Sequence, residues 1–252
     1  MRYFIRMAFN GAAYHGWQAQ DNAATVQQAV EGALSMLFRN HLPVVGAGRT
    51  DTGVHAKEYF AHVEIENELS PAELQKITFK LNGILPDDIV IYEVYAVAPD
   101  MHARFSALSR TYKYYISPER NPFAREYSWF YPGRLDIERM NKGAALLMEC
   151  TDFTSFAKVH SDTKTNNCAI AEAGWQYEDG MLVFTITADR FLRNMVRAIV
   201  GTLVELGAGK INLNDLQKIV ESKNRSEAGY SVPAQALFLE RVEYPSELKN
   251  FK

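Results

Sequence analysis

The run Gly46-Ala47-Gly48-Arg49-Thr50-Asp51-Thr52-Gly53-Val54-His55-Ala56 passes directly into Lys57-Glu58-Tyr59-Phe60-Ala61-His62-Val63-Glu64-Ile65. Three glycines and two threonines surround one arginine and one aspartate, so the backbone can turn sharply while presenting a short carboxylate. From Ala56 onward a loose alternation of apolar and polar residues reads as a strand. The carboxylate is therefore expected on a tight loop leading into a sheet, a rigid place for chemistry.

Several readings compete for this loop. A Gly-rich turn with an aspartate is often only an Asx turn. Asp51-Thr52-Gly53 has the letters of the aspartic-protease triplet, but no second Asp-Thr-Gly occurs, and that chemistry needs two carboxylates sharing a proton. Arg49 is expected to pair with Asp51 and keep it ionised, the wrong state for half of such a dyad. A phosphate loop wants Gly-x-x-x-x-Gly-Lys-Ser/Thr or Gly-x-Gly-x-x-Gly; here an acid would meet the phosphate. What survives is an ionised aspartate beside an arginine, suited to act as a nucleophile or an electrostatic stabiliser.

On the N-terminal side, Tyr3 to Phe9 is strand-like, Asn10-Gly11 closes it, and Tyr14-His15-Gly16-Trp17-Gln18 follows as an aromatic, polar loop. Thr25 opens a helix, with Gln28 completing a capping box and Val26, Ala29, Val30, Ala33, Leu34 and Leu37 in its apolar stripe. On the C-terminal side, Ser70-Pro71 opens a second helix with Leu74, Ile77 and Leu81 facing inward, ended by Asn82-Gly83 and Pro86-Asp87. Ile89 to Val97 is the next strand. Strand, helix, strand, helix, strand makes a compact α+β unit.

Arg110-Thr111-Tyr112-Lys113-Tyr114-Tyr115-Ile116 starts another β-rich region, and the expected division is 1–106 and 107–252. Asp136 caps a third helix, with Leu135 and Met140 spaced as a hydrophobic staple. Thr151 to Asn167 is polar and weakly patterned. Cys168 to Tyr177 and Met181 to Thr187 form a hairpin around Glu178-Asp179-Gly180. Phe191 to Leu206 is a strongly apolar helix closed by Gly207; Leu213 to Val220 is a shorter helix, and Ala236 to Val242 a last strand before a polar tail. Two α+β units with a cleft between them are expected.

The 252 residues carry 47% hydrophobic and 23% charged residues with a formal charge of -3, a globular composition that gives no global argument for nucleic acid. Local charge differs: Arg190, Arg193 and Arg197 are grouped, as are Arg104, Arg110 and Lys113. The first residues lead straight into strand-like sequence without a signal-peptide core, and no 18-residue apolar run occurs, so no membrane segment is expected. Cys150 and Cys168 lie in no metal or redox pattern, which fits a reduced, cytoplasmic protein.

Of the histidines His15, His41, His55, His62, His102 and His160, none belongs to a zinc-type spacing, and no serine sits in a nucleophile elbow. His55 reads best as a hydrogen-bonder orienting the loop. In the strand, Tyr112 and Tyr114 share one face; core packing explains that, and a platform beside Arg110 for an extruded base explains it as well. Arg193 and Arg197, four apart on one helix face among apolar neighbours, seek partners, and Arg197 with Asp51 is the economical pairing.

Gly48-Arg49-Thr50-Asp51-x-Gly53-Val54-His55-Ala56 closely resembles the signature loop of tRNA pseudouridine synthases of the TruA type. Further blocks fall in order. They are Asn10-Gly11 with Tyr14-x-Gly16-Trp17-Gln18; Val26-Gln27 with Glu31; His102-Ala103-Arg104-Phe105-Ser106-Ala107; Arg110-x-Tyr112-x-Tyr114; Phe191-Leu192-x-x-Met195-Val196-Arg197; and Ala228-Gly229 with Pro233-Ala234. The chain departs from the pattern with Ala236-Leu237 in place of Gly-Leu and with Arg190 before Phe191-Leu192.

The resemblance implies two ferredoxin-like halves with antiparallel sheets, a homodimer, and isomerisation of uridine to pseudouridine at positions 38, 39 and 40 in the anticodon arm of tRNA, with no cofactor and no metal. It implies that Asp51, Arg197 and Tyr112 are catalytic, and that Arg49, Tyr112, His55, Arg110 and Leu192 contact the substrate. Whether the aspartate attacks C1′, attacks C6 or promotes proton removal from the ribose stays open at this level. A non-catalytic RNA-binding module and a nucleoside hydrolase are the alternatives; the latter would release free uracil.

Overall fold

Tyr3, Ile5, Met7 and Phe9 alternate along the first strand, and Phe4 on its opposite face is buried as well, the pattern of a strand with neighbours on both sides. A computed structural model describes residues 1–159 and 164–246 and gives that strand as β1, Arg2–Phe9. There follow α1, Val26–Phe38; β2, Val44–Gly46; β3, His55–Glu64; α2, Pro71–Ile84; and β4, Ile89–Val97. Then come β5, Ser109–Ser117; β6, Trp129–Phe130; α3, Ile137–Met148; β7, Ile170–Glu178; and β8, Met181–Ala188. The helices α4, Met195–Gly207, and α5, Leu213–Ser222, precede β9, Leu237–Glu243. The architecture is α+β with mostly antiparallel pairing. No helix among the described residues is long and apolar enough to cross a membrane. His160 lies outside the described residues.

The chain divides into two compact units, one of Met1–Leu108 with the segment from Leu239 onward, the other of Ser109–Phe238. In the first, β1 is antiparallel to both β3 and β4, β2 pairs with β3, and the order runs β4-β1-β3-β9. Its helices start where their side chains dictate. Thr25 accepts the Gln28 amide of α1, and Ser70 with Glu73 closes a capping box on α2, satisfying donors that the helix leaves orphaned. Asn82 does not end α2: the helix continues to Ile84, and the Asn82 amide bonds both backbone groups of Ile91 at 2.7 and 2.8 Å.

The second unit repeats that device. Asn141 of α3 bonds both backbone groups of Trp175 in β7, at 2.7 and 3.1 Å. The sheet runs β5-β8-β7 with short β6 parallel to β5. Asp179 and Gly180 turn the β7–β8 hairpin at φ 48° and 79°, as a type I′ turn requires. The expected helix from Phe191 begins later, at Met195, because Asn194 adopts a left-handed conformation at φ 67°. Arg193 therefore stands outside the helix and does not share a face with Arg197. The polar stretch after Thr151 is less of a loop than its composition suggests, since Thr154–Phe156 forms a 3-10 turn with Phe153 and Phe156 buried.

His62, on β3, is buried, and its Nδ1 accepts the Ala103 amide at 3.1 Å. Burial, then Arg2 and His102, push its pKa from 6.5 down to about 4, against the pull of Glu64. Between those values the unfolded chain binds a proton that the folded chain does not, so stability falls as pH falls. Urea midpoints should drop between pH 6.5 and pH 4, with His62 contributing roughly 2–3 kcal/mol. His62→Asn, whose amide oxygen can stand in for Nδ1, should lose that share; an unchanged pH profile would remove His62 as its source.

Candidate active site

In the first unit the Asp51 loop joins β2 to β3. The Asp51 carbonyl accepts the Val54 amide at 3.2 Å and Gly53 has φ 79°, so Asp51-Thr52-Gly53-Val54 is a type II turn with glycine where positive φ is required. Asp51 itself is partly exposed. The loop is pinned at its start to the adjacent strand β3. The Ala47 amide bonds the Phe60 carbonyl at 2.7 Å, and the Tyr59 hydroxyl donates to the Gly48 carbonyl while lying 3.4 Å from the Gly48 amide. The Tyr59 ring packs against buried Trp17, centroids 4.3 Å apart.

The loop after β1 supplies the other wall. Tyr14 accepts the Gly53 amide through its carbonyl at 3.2 Å, and its hydroxyl donates to Asp88 at 2.7 Å. Gly16, at φ 88°, lies so close to the Thr50 carbonyl that a Cβ would sit 2.2 Å from that oxygen. His55 is buried, and its Nδ1 accepts the Gly11 amide at 3.1 Å, which puts the proton of the neutral ring on Nε2. It does orient the loop. The expected Arg49–Asp51 ion pair is absent from the ion pairs among the described residues. Arg49 is exposed, and an exposed pair gains too little to hold a long side chain in place.

In the second unit Tyr112 lies on β5 opposite Ile186 and meets the edge of Phe191 at 5.1 Å. Arg110 reaches the Asp189 carbonyl at 2.8 Å. Tyr114, on the face of Tyr112, is buried and donates to the Pro233 carbonyl at 2.9 Å; burial pushes its hydroxyl pKa up, and the charge of Arg197 opposes this. Leu192 is buried immediately before α4. Arg197 is held by the backbone of Val232. Its Nε donates to the Val232 carbonyl at 2.7 Å, and its carbonyl accepts the Val232 amide at 3.3 Å.

That double link works because α4 and the 228–233 segment touch backbone to backbone. A Cβ on Gly201 would stand 1.9 Å from the Tyr230 carbonyl oxygen, and one on Gly229 2.7 Å from the Thr202 nitrogen. The Gly229 amide donates to the Thr202 hydroxyl at 2.9 Å. The block Ala228-Gly229 with Pro233-Ala234 is thus the strap that fixes the arginine helix. Neither cysteine is activated: burial raises both thiols, that of Cys168 to about 11, so thiolate chemistry has no footing here.

The structure places Arg49 and Asp51 on one loop of the first unit with His55 at the head of β3, and Arg110, Tyr112, Leu192 and Arg197 on β5, the approach to α4 and α4 itself in the second. Residue-by-residue reading missed Tyr59 as the anchor of the aspartate loop. Its one sequence signal is an aromatic residue on β3 eight positions after Asp51, and nothing in that spacing reveals the bond to Gly48.

Known proteins provide independent comparison. The profile of the tRNA pseudouridine synthase family matches residues 149–245. A protein named tRNA pseudouridine synthase A from Porphyromonas gingivalis is 55% identical, over 98% of this chain and 98% of its own. One of the same name from Parabacteroides distasonis is 52% identical over 98% and 97%, and one from Acetivibrio thermocellus 40% over 94% and 96%. The chain belongs to the tRNA pseudouridine synthase A family.

Tyr59→Phe removes the hydroxyl under the aspartate loop and leaves the Gly48 peptide without that partner. It should cost about 1–3 kcal/mol of unfolding free energy, whereas Tyr177→Phe at an exposed tyrosine should cost nothing measurable. Equal urea midpoints for both variants would show that the clamp does not bear on stability.

Proposed function

We propose that this protein converts uridine to pseudouridine in tRNA, at positions 38, 39 and 40 of the anticodon arm, with Asp51 as the catalytic carboxylate, Arg197 as its charge partner and Tyr112 as the ring against which the extruded base lies. The observation that carries the reading is Asp51 at the head of a type II turn fixed by Gly53, Tyr14 and Tyr59, in a chain of this family. A carboxylate carried on a backbone held so firmly needs little movement of its loop when charge develops. Arg49, Arg110, His55 and Leu192 complete the substrate-contacting set. Buried His55 and Leu192 shape the site; partly or fully exposed Arg110 and Arg49 meet the phosphate backbone.

The chemistry is a rearrangement of one nucleotide. The N1–C1′ bond breaks, the uracil turns, C5 bonds to C1′, the proton on C5 is lost and N1 gains one. No atom is left over, which fits a reaction without a cofactor. The base must leave the stack first, at a cost of a few kcal/mol that is smallest near a loop. Aromatic packing on Tyr112 keeps the detached ring from escaping. Asp51 adding to C1′, adding to C6 or promoting proton removal from the ribose would each use the same fixed carboxylate. The enzyme is read as a cytoplasmic homodimer, and light scattering at micromolar concentration should return about twice the chain mass; a fully active monomer at all concentrations would contradict this.

Asp51→Asn keeps the shape of the side chain and removes its charge. Single-turnover release of tritium from tRNA carrying 5-³H-uridine should fall below detection, while tRNA affinity in filter binding at fixed salt stays equal or tightens slightly. Wild-type protein should release label from the 3′ side of the anticodon arm and leave no free uracil. Tritium release by the variant at the wild-type rate would move the chemistry to another residue. Arg197→Leu should lose turnover far more than stability, and normal turnover in that variant would sink its role.

A further inference from the structure

The turn from His102 to Ser106 in the first unit presents the largest side chain of its block to water: Phe105 is 76% exposed. An isolated exposed apolar residue needs no explanation, but this one is built on an unusually well-tied support. The His62 Nδ1 accepts the Ala103 amide at 3.1 Å. The His102 Nδ1 accepts the Arg104 amide at 3.0 Å and the Phe105 amide at 3.3 Å. Ser106 closes the turn from both sides, accepting the His102 amide through its hydroxyl at 2.9 Å and donating its own amide to the His102 carbonyl at 2.9 Å. The Tyr244 hydroxyl donates to the Ala103 carbonyl at 2.5 Å.

These bonds fix the backbone under a ring that buries little of itself. The His102 ring supports Phe105 at a centroid distance of 4.4 Å and an interplanar angle of 35°. The Arg104 guanidinium carbon stands 5.5 Å from the Phe105 centroid, and Arg104 is exposed. A largely exposed ring with a cation over it, on a preorganised turn, suits a nucleotide, taking the base by stacking and the phosphate by charge. Preorganisation matters because little side-chain and backbone freedom is left to lose on binding. Both imidazoles can accept amide protons only while neutral, and burial first, then Arg2, holds each below its ordinary pKa.

We propose that the 102–106 turn is a nucleotide platform, on which an unpaired base of the RNA substrate stacks against Phe105 while the adjoining phosphate meets Arg104. The proposal rests on tRNA being the substrate and adds a contact distinct from the reacting uridine. Unstacked bases of single-stranded RNA fit it and duplex does not, since a base stacked inside a helix has no free face to offer.

The test is a filter-binding titration of full-length wild type, Phe105→Ala and Phe105→Trp with whole tRNA and with a blunt RNA duplex of similar length, at fixed salt. Phe105→Ala should weaken tRNA binding about tenfold, Phe105→Trp should restore it, and duplex binding should be equal for all three. Phe105→Ala should leave the salt slope for tRNA unchanged, because no cation is removed. Wild-type affinity in Phe105→Ala, or an equal loss on duplex, overturns the platform. A halved mass of Phe105→Ala in light scattering with unchanged tRNA affinity also overturns it, by making the ring a contact between copies. Because the readout is binding, a wild-type protein that binds tRNA but releases no tritium overturns the proposed reaction and leaves the platform standing. Normal turnover with unaltered binding by Phe105→Ala does the reverse.

Discussion

A single hydroxyl, that of Tyr59, holds the peptide of Gly48, and the geometry of the aspartate loop depends on it. The glycine-rich segment gains its sharp turns from residues with few steric limits, and the same freedom would leave it mobile. Tyr59, wedged against Trp17, supplies the missing restraint from the adjacent strand. Gly16 completes it by letting the first loop approach the Thr50 carbonyl without a side chain between them. Permissive backbone and rigid surroundings together fix the peptide that carries the carboxylate, on a loop that could not otherwise be stiff.

The second unit solves a related problem differently. Arg197 is bound to Val232 through both its side chain and its carbonyl, because glycines at 201 and 229 let two backbones meet. In the first unit an aromatic ring fills the space around a bare backbone; in the second the space is abolished. Each unit also locks a helix to a strand with one asparagine, Asn82 to Ile91 and Asn141 to Trp175. A paired amide satisfies two backbone groups at once, and each asparagine does so from outside the core, Asn82 exposed and Asn141 half-buried.

What could be read from the chain was local. Thr25, Ser70 and Asp136 announced their helices because a cap acts within four residues, and the hairpin at Asp179-Gly180 because its turn demands positive φ. The α+β order and the aspartate loop were legible for the same reason, and the block resemblance supplied roles that periodicity does not carry. The misreadings were of two kinds. Phe191 and Leu192 extend the apolar pattern of α4 although Asn194 breaks the helix behind them, since burial and helicity share one signal in a short run. Arg49 looked like a partner for Asp51, but closeness in sequence does not aim a side chain. The Val232 strap and the return of the chain to the first unit at Leu239 join residues far apart in sequence, and the Tyr59 clamp crosses between a loop and a strand; no local rule reaches them.

That return has a consequence for synthesis on the ribosome. Strand β9 completes the first unit's sheet beside β3, where Glu58 meets the Val242 amide across 184 positions and Lys57 meets Glu240 across 183. The first unit is therefore made early and finished late. While the intervening residues emerge, the β3 edge waits with unpaired amides and carbonyls, the kind of edge that recruits foreign strands. Lys57 and Glu58, charged residues near the start of that edge, are suited to discouraging such pairing during the wait, and each later takes a partner in β9. The same two side chains thus serve the nascent chain as a guard and the finished one as a seam.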